Sequence, residues 1–162
     1  MSVTARVESD GQLARLLQVG AVLEEVVEAR AHRHYRSLPE GERDERIESL
    51  LEEAAEESAA HRERIDELLD ALDADPIAFE QIEALVTEQY SEADTDFDGV
   101  LYDQLNGEET AYKFYADLIE AVEASETDFS IDREPLLETL REIKAAEAEG
   151  VEAVAKLMEE RA

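Results

Sequence analysis

The chain contains no cysteine and is poor in glycine, proline and aromatic residues. Its 162 residues include six glycines, three prolines and no tryptophan. The absence of cysteine excludes disulfides, thiol nucleophiles, zinc–thiolate sites and iron–sulfur clusters ligated by this chain. No glycine-rich phosphate-binding loop is present either. Because glycine and proline are scarce, few positions interrupt a helix.

Long apolar runs are also missing. No stretch approaches the roughly 18 apolar residues that a membrane-spanning helix needs. Residues 1–10 are polar and lack the apolar core of a secretory signal. The sequence therefore predicts a soluble cytoplasmic protein with no membrane partner.

Basic residues are strongly outnumbered. The chain has 15 lysines and arginines against 44 aspartates and glutamates, which gives a net charge of −29. Nucleic acids and anionic membranes would repel such a surface, so neither is expected as a partner. An acidic, lysine-poor composition keeps a protein dispersed in concentrated salt, and we therefore expect a halophilic source. Acidic runs are accordingly interpreted as solvated surface.

The apolar residues that are present recur at helical spacing, and no segment alternates as a strand does. The pattern predicts four long helices, at residues 10–38, 42–72, 100–124 and 134–160. Pro39 and Gly41 separate the first two helices, whereas residues 73–99 form a long crossover with a short extra helix. We therefore predict one all-α domain over residues 1–162, a four-helix bundle with one long connection.

One sequence phrase occurs in both the first and the third predicted helix. Glu-x-x-Ala-x-x-x-Tyr-x-x-Leu begins at Glu28 and again, eighty positions later, at Glu108. On a helix, these spacings keep the four side chains on one face. The chain has only five tyrosines, so two of them, Tyr35 and Tyr115, are hard to place at matching positions by chance. The repeat indicates a duplicated hairpin that brings two carboxylates to a shared interior, although both tyrosines could instead be ordinary core residues.

An ionisable residue interrupts the apolar stripe of each predicted helix. These residues are Glu28, His61, Glu108 and Glu147. A buried, unpaired carboxylate destabilises a protein by roughly several kcal/mol, so such a group needs a cation or shared protons. Carboxylates combined with one imidazole suit iron or manganese.

The pattern resembles the ferritin-like superfamily, and rubrerythrin-type di-iron proteins in particular. In that family the first and third helices each supply a Glu that is followed seven residues later by a Tyr, and the second and fourth each supply Glu-x-x-His. The resemblance covers essentially the whole chain. It implies that Glu28 and Glu108 are the single-Glu ligands, that His61 is the ligand on the second helix, and that Glu147 is the ligand on the fourth.

The resemblance also implies a cofactor and a chemistry. The cofactor is iron, with two ions per chain if the site is intact, or one ion, or manganese in its place. The chemistry is of the ferroxidase or peroxidase type, in which Tyr35 and Tyr115 orient carboxylates or supply electrons. A cysteine-free chain has no rubredoxin module, so an external electron donor is implied.

The chain departs from the family pattern at two positions. The second helix has Ser58-x-x-His61 and the fourth has Glu147-x-x-Gly150, so four of six family ligands remain. Glu57, four residues before His61, could reach the interior after a small rotation of its helix. The remaining set could hold one metal well, two metals poorly, or none.

Three interpretations therefore stay open. The chain is a di-metal oxidoreductase, a metal-free ferritin-like bundle that serves as a binding or interaction module, or an unrelated acidic helical protein with half-buried glutamates. We expect a homodimer, formed through an apolar face of the first two helices, rather than a ferritin shell.

Overall fold

The computed structural model describes residues 7–37, 44–74 and 97–160. They form four α-helices, which are α1 (Asp10–Ser37), α2 (Glu45–Ala71), α3 (Phe97–Ala124) and α4 (Arg133–Glu160). No strand occurs among these residues. The predicted all-α class and the four packed helices are confirmed, and each helix end lies within three residues of its predicted position. The short extra helix and the break at Pro39 and Gly41 fall outside the described residues.

Local signals explain where the helices begin. The Ser9 hydroxyl accepts the backbone N–H of Gln12 at 3.1 Å before α1, and the Gln12 side chain accepts the backbone N–H of Glu8 at 2.7 Å. Before α2, the Asp44 carboxylate accepts the backbone N–H of Arg46 at 2.8 Å. These side chains satisfy N–H groups that have no partner within the helix.

The helices pair in a defined order. The chain-adjacent helices α1 and α2 pack together, as do α3 and α4, and the two hairpins meet through α1 against α3 and α2 against α4. Arg30 of α1 holds Asp103 near the start of α3, whereas Gly20 approaches Phe114 farther along. The helices α1 and α3 therefore run antiparallel.

The orientation of α2 relative to α4 follows from two contacts between arginine and glutamate side chains. Arg46 of α2 contacts Glu160 at the end of α4, and Arg64 contacts Glu142 near its start. The helices α2 and α4 are therefore antiparallel as well. It follows that α2 ends and α3 begins at opposite ends of the bundle.

Buried apolar side chains form two separate clusters along the bundle. The first cluster lies near the start of α1, and its largest fully buried members include Leu13, Ile65, Leu118 and Leu140. The second cluster lies near the other end, with Ile47, Leu51, Val100, Leu101 and Val154 among its members. Apart from Gln18 of α1, the buried polar residues of the four helices fall between these two clusters. The fold therefore places one polar layer inside an otherwise apolar core.

None of the four described helices combines the length and the apolar character that crossing a membrane would require.

The turn between α3 and α4 depends on Arg133. Its guanidinium donates to the carbonyl oxygens of Val122 at 3.0 Å, Ser125 at 2.7 Å and Thr127 at 2.8 Å, and it lies 5.7 Å from the centre of the Phe129 ring. Two of these carbonyls belong to the end of α3, where backbone acceptors lack helical partners. One side chain thus closes the helix end and fixes the path to α4.

Replacing Arg133 with Met should lower the free energy of unfolding by about 2 kcal/mol, because several charge-assisted hydrogen bonds are lost together. The matched control is Arg141→Met, since Arg141 makes only a long surface contact of 3.8 Å with Glu123. That change should cost less than about 1 kcal/mol. Urea unfolding followed by circular dichroism measures both. Equal losses in the two variants would contradict the role given to Arg133.

Candidate metal centre

The polar layer between the two apolar clusters contains the candidate site. Each helix contributes to it, and its buried polar members are Glu24 of α1, Ser58 and His61 of α2, Gln104 and Glu108 of α3, and Glu147 of α4. Tyr115 of α3 adds a hydroxyl and is completely buried. Buried ionisable groups are rarely found unless they are paired or bind a cation.

Glu24, His61 and Glu147 form the centre of this layer. His61 Nδ1 lies 3.3 Å from Glu24 Oε1 and 3.3 Å from Glu147 Oε1. One ligand atom from each of the three residues lies within 4.8 Å of the other two. This buried group could hold a metal ion, because three donor atoms from three helices converge on one small volume.

The two oxygens of Glu24 differ in their surroundings. Oε1 accepts a hydrogen bond from the Tyr115 hydroxyl at 2.8 Å. Oε2 is buried and has no hydrogen-bond partner among the described residues. An unsatisfied buried acceptor destabilises the fold by roughly 1–3 kcal/mol, so this oxygen requires an explanation. A cation beside it would supply one.

Glu108 packs against the backbone of α4. Its Oε1 accepts the side-chain amide of Gln104 at 2.9 Å. A Cβ atom built on Gly150 would lie only 2.6 Å from Glu108 Oε2. Gly150 therefore provides the space that the Glu108 carboxylate occupies, and any larger residue would displace that carboxylate.

The surroundings of the Glu147 carboxyl group favour its neutral form. Burial raises its pKa far above the ordinary range, and its hydrogen bond with Glu108 and the charges of Glu24 and Glu108 act in the same direction. Burial also raises the pKa of Tyr115 well above its ordinary value, with the Glu24 charge adding to the effect. Burial first, and the neighbouring carboxylates second, therefore favour the protonated form of Glu147.

Three of the residues predicted as metal ligands come together in this layer. They are His61, Glu108 and Glu147. The structure does not bring Glu28 into the group: its carboxylate lies 3.0 Å from Arg62 Nη1, and 26% of its side chain remains exposed. The expectation that Glu28 points into the interior beside Glu108 is thus corrected, because α1 turns that residue toward the edge of α2.

The other predicted site residues have different positions. Tyr115 lies in the layer and contacts Glu24. Glu57 lies at the rim, with 41% of its side chain exposed and Oε1 3.9 Å from His61 Nε2. Partial burial raises the pKa of Glu57, while the neighbouring His61 lowers it. The side chain of Tyr35 falls outside the described residues.

Glu24 is a candidate metal ligand that the repeated sequence phrase did not predict. It precedes Glu28 by four residues and lies in the same apolar stripe. An offset of 84 rather than 80 positions aligns Glu24 with Glu108 and also aligns Leu17 with Leu101, and all four of these residues are buried. The sequence therefore contains an alignment that matches the observed burial, the offset of 84 positions. The Glu–Tyr spacing favoured the offset of 80 positions, which pairs Glu108 with Glu28, one helical turn after Glu24.

Comparison with models of known protein families, with curated proteins and with solved structures finds no match to this chain. The interpretation of the site accordingly rests on its own donor atoms. Two carboxylates and one imidazole, with a third carboxylate in the same layer, offer oxygen and nitrogen donors to a metal ion.

If Glu147 is held protonated, the metal-free Glu147→Gln variant should gain a stability advantage over the wild type that grows as the pH rises. In the folded state its pKa is raised above the ordinary value of 4.5, so its contribution to stability is fully present below pH 4.5 and declines above it. The variant lacks that decline. Its advantage over the wild type should grow by up to about 1.4 kcal/mol per pH unit between about pH 5 and pH 8.

Urea unfolding in the presence of a chelator measures this advantage at each pH. Glu138→Gln, an exposed change on the same helix, controls for the general loss of negative charge. A Glu147→Gln protein that tracks the control at every pH would contradict a protonated Glu147.

Proposed function

We propose that this protein is a ferritin-like bundle that binds one redox-active divalent metal, iron or manganese, and performs oxidative chemistry of the ferroxidase or peroxidase type. Glu24, His61 and Glu147 are the proposed ligands, and Glu108 is the third carboxylate of the layer. The proposal names one ion rather than two for a physical reason. Ser58 and Gly150 replace two of the expected family ligands, and the Glu108 carboxylate already fills the space over Gly150.

The observation that carries the proposal is the unpartnered Oε2 of Glu24 beside an imidazole and a second carboxyl group. All three residues are buried, so water cannot satisfy that oxygen from bulk solvent. A divalent cation would satisfy it and would also neutralise the repulsion that holds a proton on Glu147.

The order of the helices supports the ferritin-like part of the proposal. That topology requires α1 antiparallel to α3 and α2 antiparallel to α4, with a long connection between the hairpins. The contacts of Arg30 with Asp103 and of Arg46 with Glu160 are compatible with it. The location of the polar layer at the middle of all four helices is a further point in favour.

Each surrounding side chain has a definite part in this proposal. A bound Fe²⁺ would supply electrons for the reduction of dioxygen or peroxide. Tyr115 orients Glu24 by its hydrogen bond, and Gln104 orients Glu108. Glu147 gives up its proton when the cation binds. The two apolar clusters on either side exclude bulk water from the layer.

The proposed function includes an external electron donor and a second copy of this chain as partners. Because the chain has no cysteine, it cannot carry its own iron–sulfur or rubredoxin-type donor, and an external electron donor is required for turnover. A homodimer is the proposed assembly. Sedimentation velocity in molar and in low salt measures its mass directly.

A metal-free bundle is the second candidate, and a specific observation favours it. Gln104 donates to one Glu108 oxygen and Tyr115 to one Glu24 oxygen, so part of the layer is satisfied without a cation. On this reading the bundle is a binding or interaction module. Measured metal content distinguishes the two candidates.

Anaerobic loading with Fe²⁺ should leave about one iron per chain in the wild type, and Glu24→Gln should lower the affinity by roughly 100-fold or more because a ligand charge is lost. Glu28→Gln, one turn away on the same helix, should bind like the wild type, since Glu28 is paired with Arg62. Elemental analysis after desalting gives the stoichiometry. Thermal unfolding gives a second readout, because free metal at 100 times its Kd adds about 2.7 kcal/mol of stability.

The outcomes of this experiment separate the interpretations. Loss of iron in Glu28→Gln with retention in Glu24→Gln would restore the ligand set expected from the repeat. No iron in the wild type, with no thermal shift for Fe²⁺ or Mn²⁺, would overturn the metal proposal and leave the interaction module.

Tyr115→Phe should weaken metal binding by roughly tenfold, because Glu24 loses the hydrogen bond that fixes its carboxylate. The matched control is Tyr112→Phe, since Tyr112 lies on the same helix and is 36% exposed. A competition titration with a metal-sensitive chelator measures both affinities. Identical affinities in the two variants would show that Tyr115 does not position Glu24.

A further inference from the structure

A groove opens at the surface between α2 and α4. Its volume is about 460 Å³. The buried residues Ala54 and Val154 form its floor together with Gly150, and the exposed Ala153 stands at its edge. Small residues on both facing helices therefore leave space between α2 and α4 unfilled at this level.

The inner end of the groove reaches the polar layer. Glu108 lines the groove although only 5% of the residue is exposed, and Glu57 lines it near His61. Glu57 Oε1 lies 3.9 Å from Nε2 of His61, a member of the candidate ligand group. Gly150 has no side chain to cover the Glu108 carboxylate from the solvent side. The groove thus reaches from the surface to Glu108 in the polar layer and to Glu57 beside His61.

The electrostatic character of the groove favours cations. Glu45, Glu53 and Glu57 of α2 line it, and Glu108 lies at its inner end. The single basic residue in the lining is Arg46, whose guanidinium contacts Asp44 at 3.3 Å and Glu160 at 3.2 Å. A cleft lined by one sign of charge raises the local concentration of the opposite ion and its rate of association.

We propose that this groove is the route by which a hydrated divalent cation reaches the buried layer. Glu53 attracts the ion at the surface, Glu57 passes it inward, and Glu108 receives it beside Gly150. This inference rests on the proposed metal function. It adds that access occurs between α2 and α4, at the position where Gly150 has no side chain between the groove and the Glu108 carboxylate.

The test measures the rate of binding rather than activity. Cobalt(II) alone is mixed with metal-free protein in a stopped-flow instrument, and the growth of its visible absorption reports coordination. Ala153→Trp places a large ring over the groove without touching a proposed ligand, and it should slow binding roughly tenfold or more while the stoichiometry at equilibrium stays the same. Ala145→Trp, at another exposed alanine of α4 outside the groove, should leave the rate unchanged.

A second pair of variants tests the charge of the route. Glu53→Gln should slow association by roughly two- to fivefold in low salt, and the difference should disappear in molar salt because the field is screened. The control is Glu52→Gln, an exposed neighbour that does not line the groove. Circular dichroism at each salt concentration establishes that every variant is folded.

The outcomes separate this inference from the proposed function. Cobalt that binds at the same rate to both tryptophan variants would overturn the route and leave the metal site standing. No cobalt binding by the wild type under any condition would overturn the metal site, and the route with it.

Discussion

Mutual repulsion among Glu24, Glu108 and Glu147 constrains the middle of the bundle. All three residues are at most 5% exposed, and in such surroundings charges interact far more strongly than at the surface. The surrounding side chains compensate in distinct ways. His61 lies between Glu24 and Glu147, and Tyr115 donates to the same Glu24 oxygen that His61 contacts. Gln104 donates to Glu108, and burial favours the protonated form of Glu147.

One oxygen, Oε2 of Glu24, has no hydrogen-bond partner among the described residues. This unsatisfied atom connects the stability of the bundle with its proposed function. An apolar layer of the same volume would often be more stable than a buried ionisable group. A protein that retains carboxylates in its core gives up stability for a role that apolar residues cannot perform. In this protein the stability is lost at the unsatisfied Oε2 of Glu24, and a bound cation would provide the partner that this oxygen lacks.

Much of this arrangement could be predicted from the sequence, and one element could not. Helical periodicity predicted the four helices, and interruptions of the apolar stripes predicted His61, Glu108 and Glu147 as buried residues. The rotation of α1 was not predictable in the same way. It is set by close approach of α1 and α3, where a Cβ on Gly20 would lie 3.2 Å from Phe114 and one on Gly107 would lie 3.3 Å from Val27. Such contacts involve residues far apart in sequence, whereas a repeated phrase reports only local spacing.

The location of the polar layer has a consequence for how the helices select their alignment. The apolar faces above and below the layer are built from similar leucine, isoleucine and alanine residues, which by themselves would tolerate a shift of one helix along another. A shift of one turn would move Glu24 or Glu147 into a leucine-lined cluster, where an unpaired carboxylate destabilises the fold by roughly several kcal/mol. The same residues that invite a cation thus also lock the axial register of the bundle, much as a single buried asparagine fixes the register of a coiled coil.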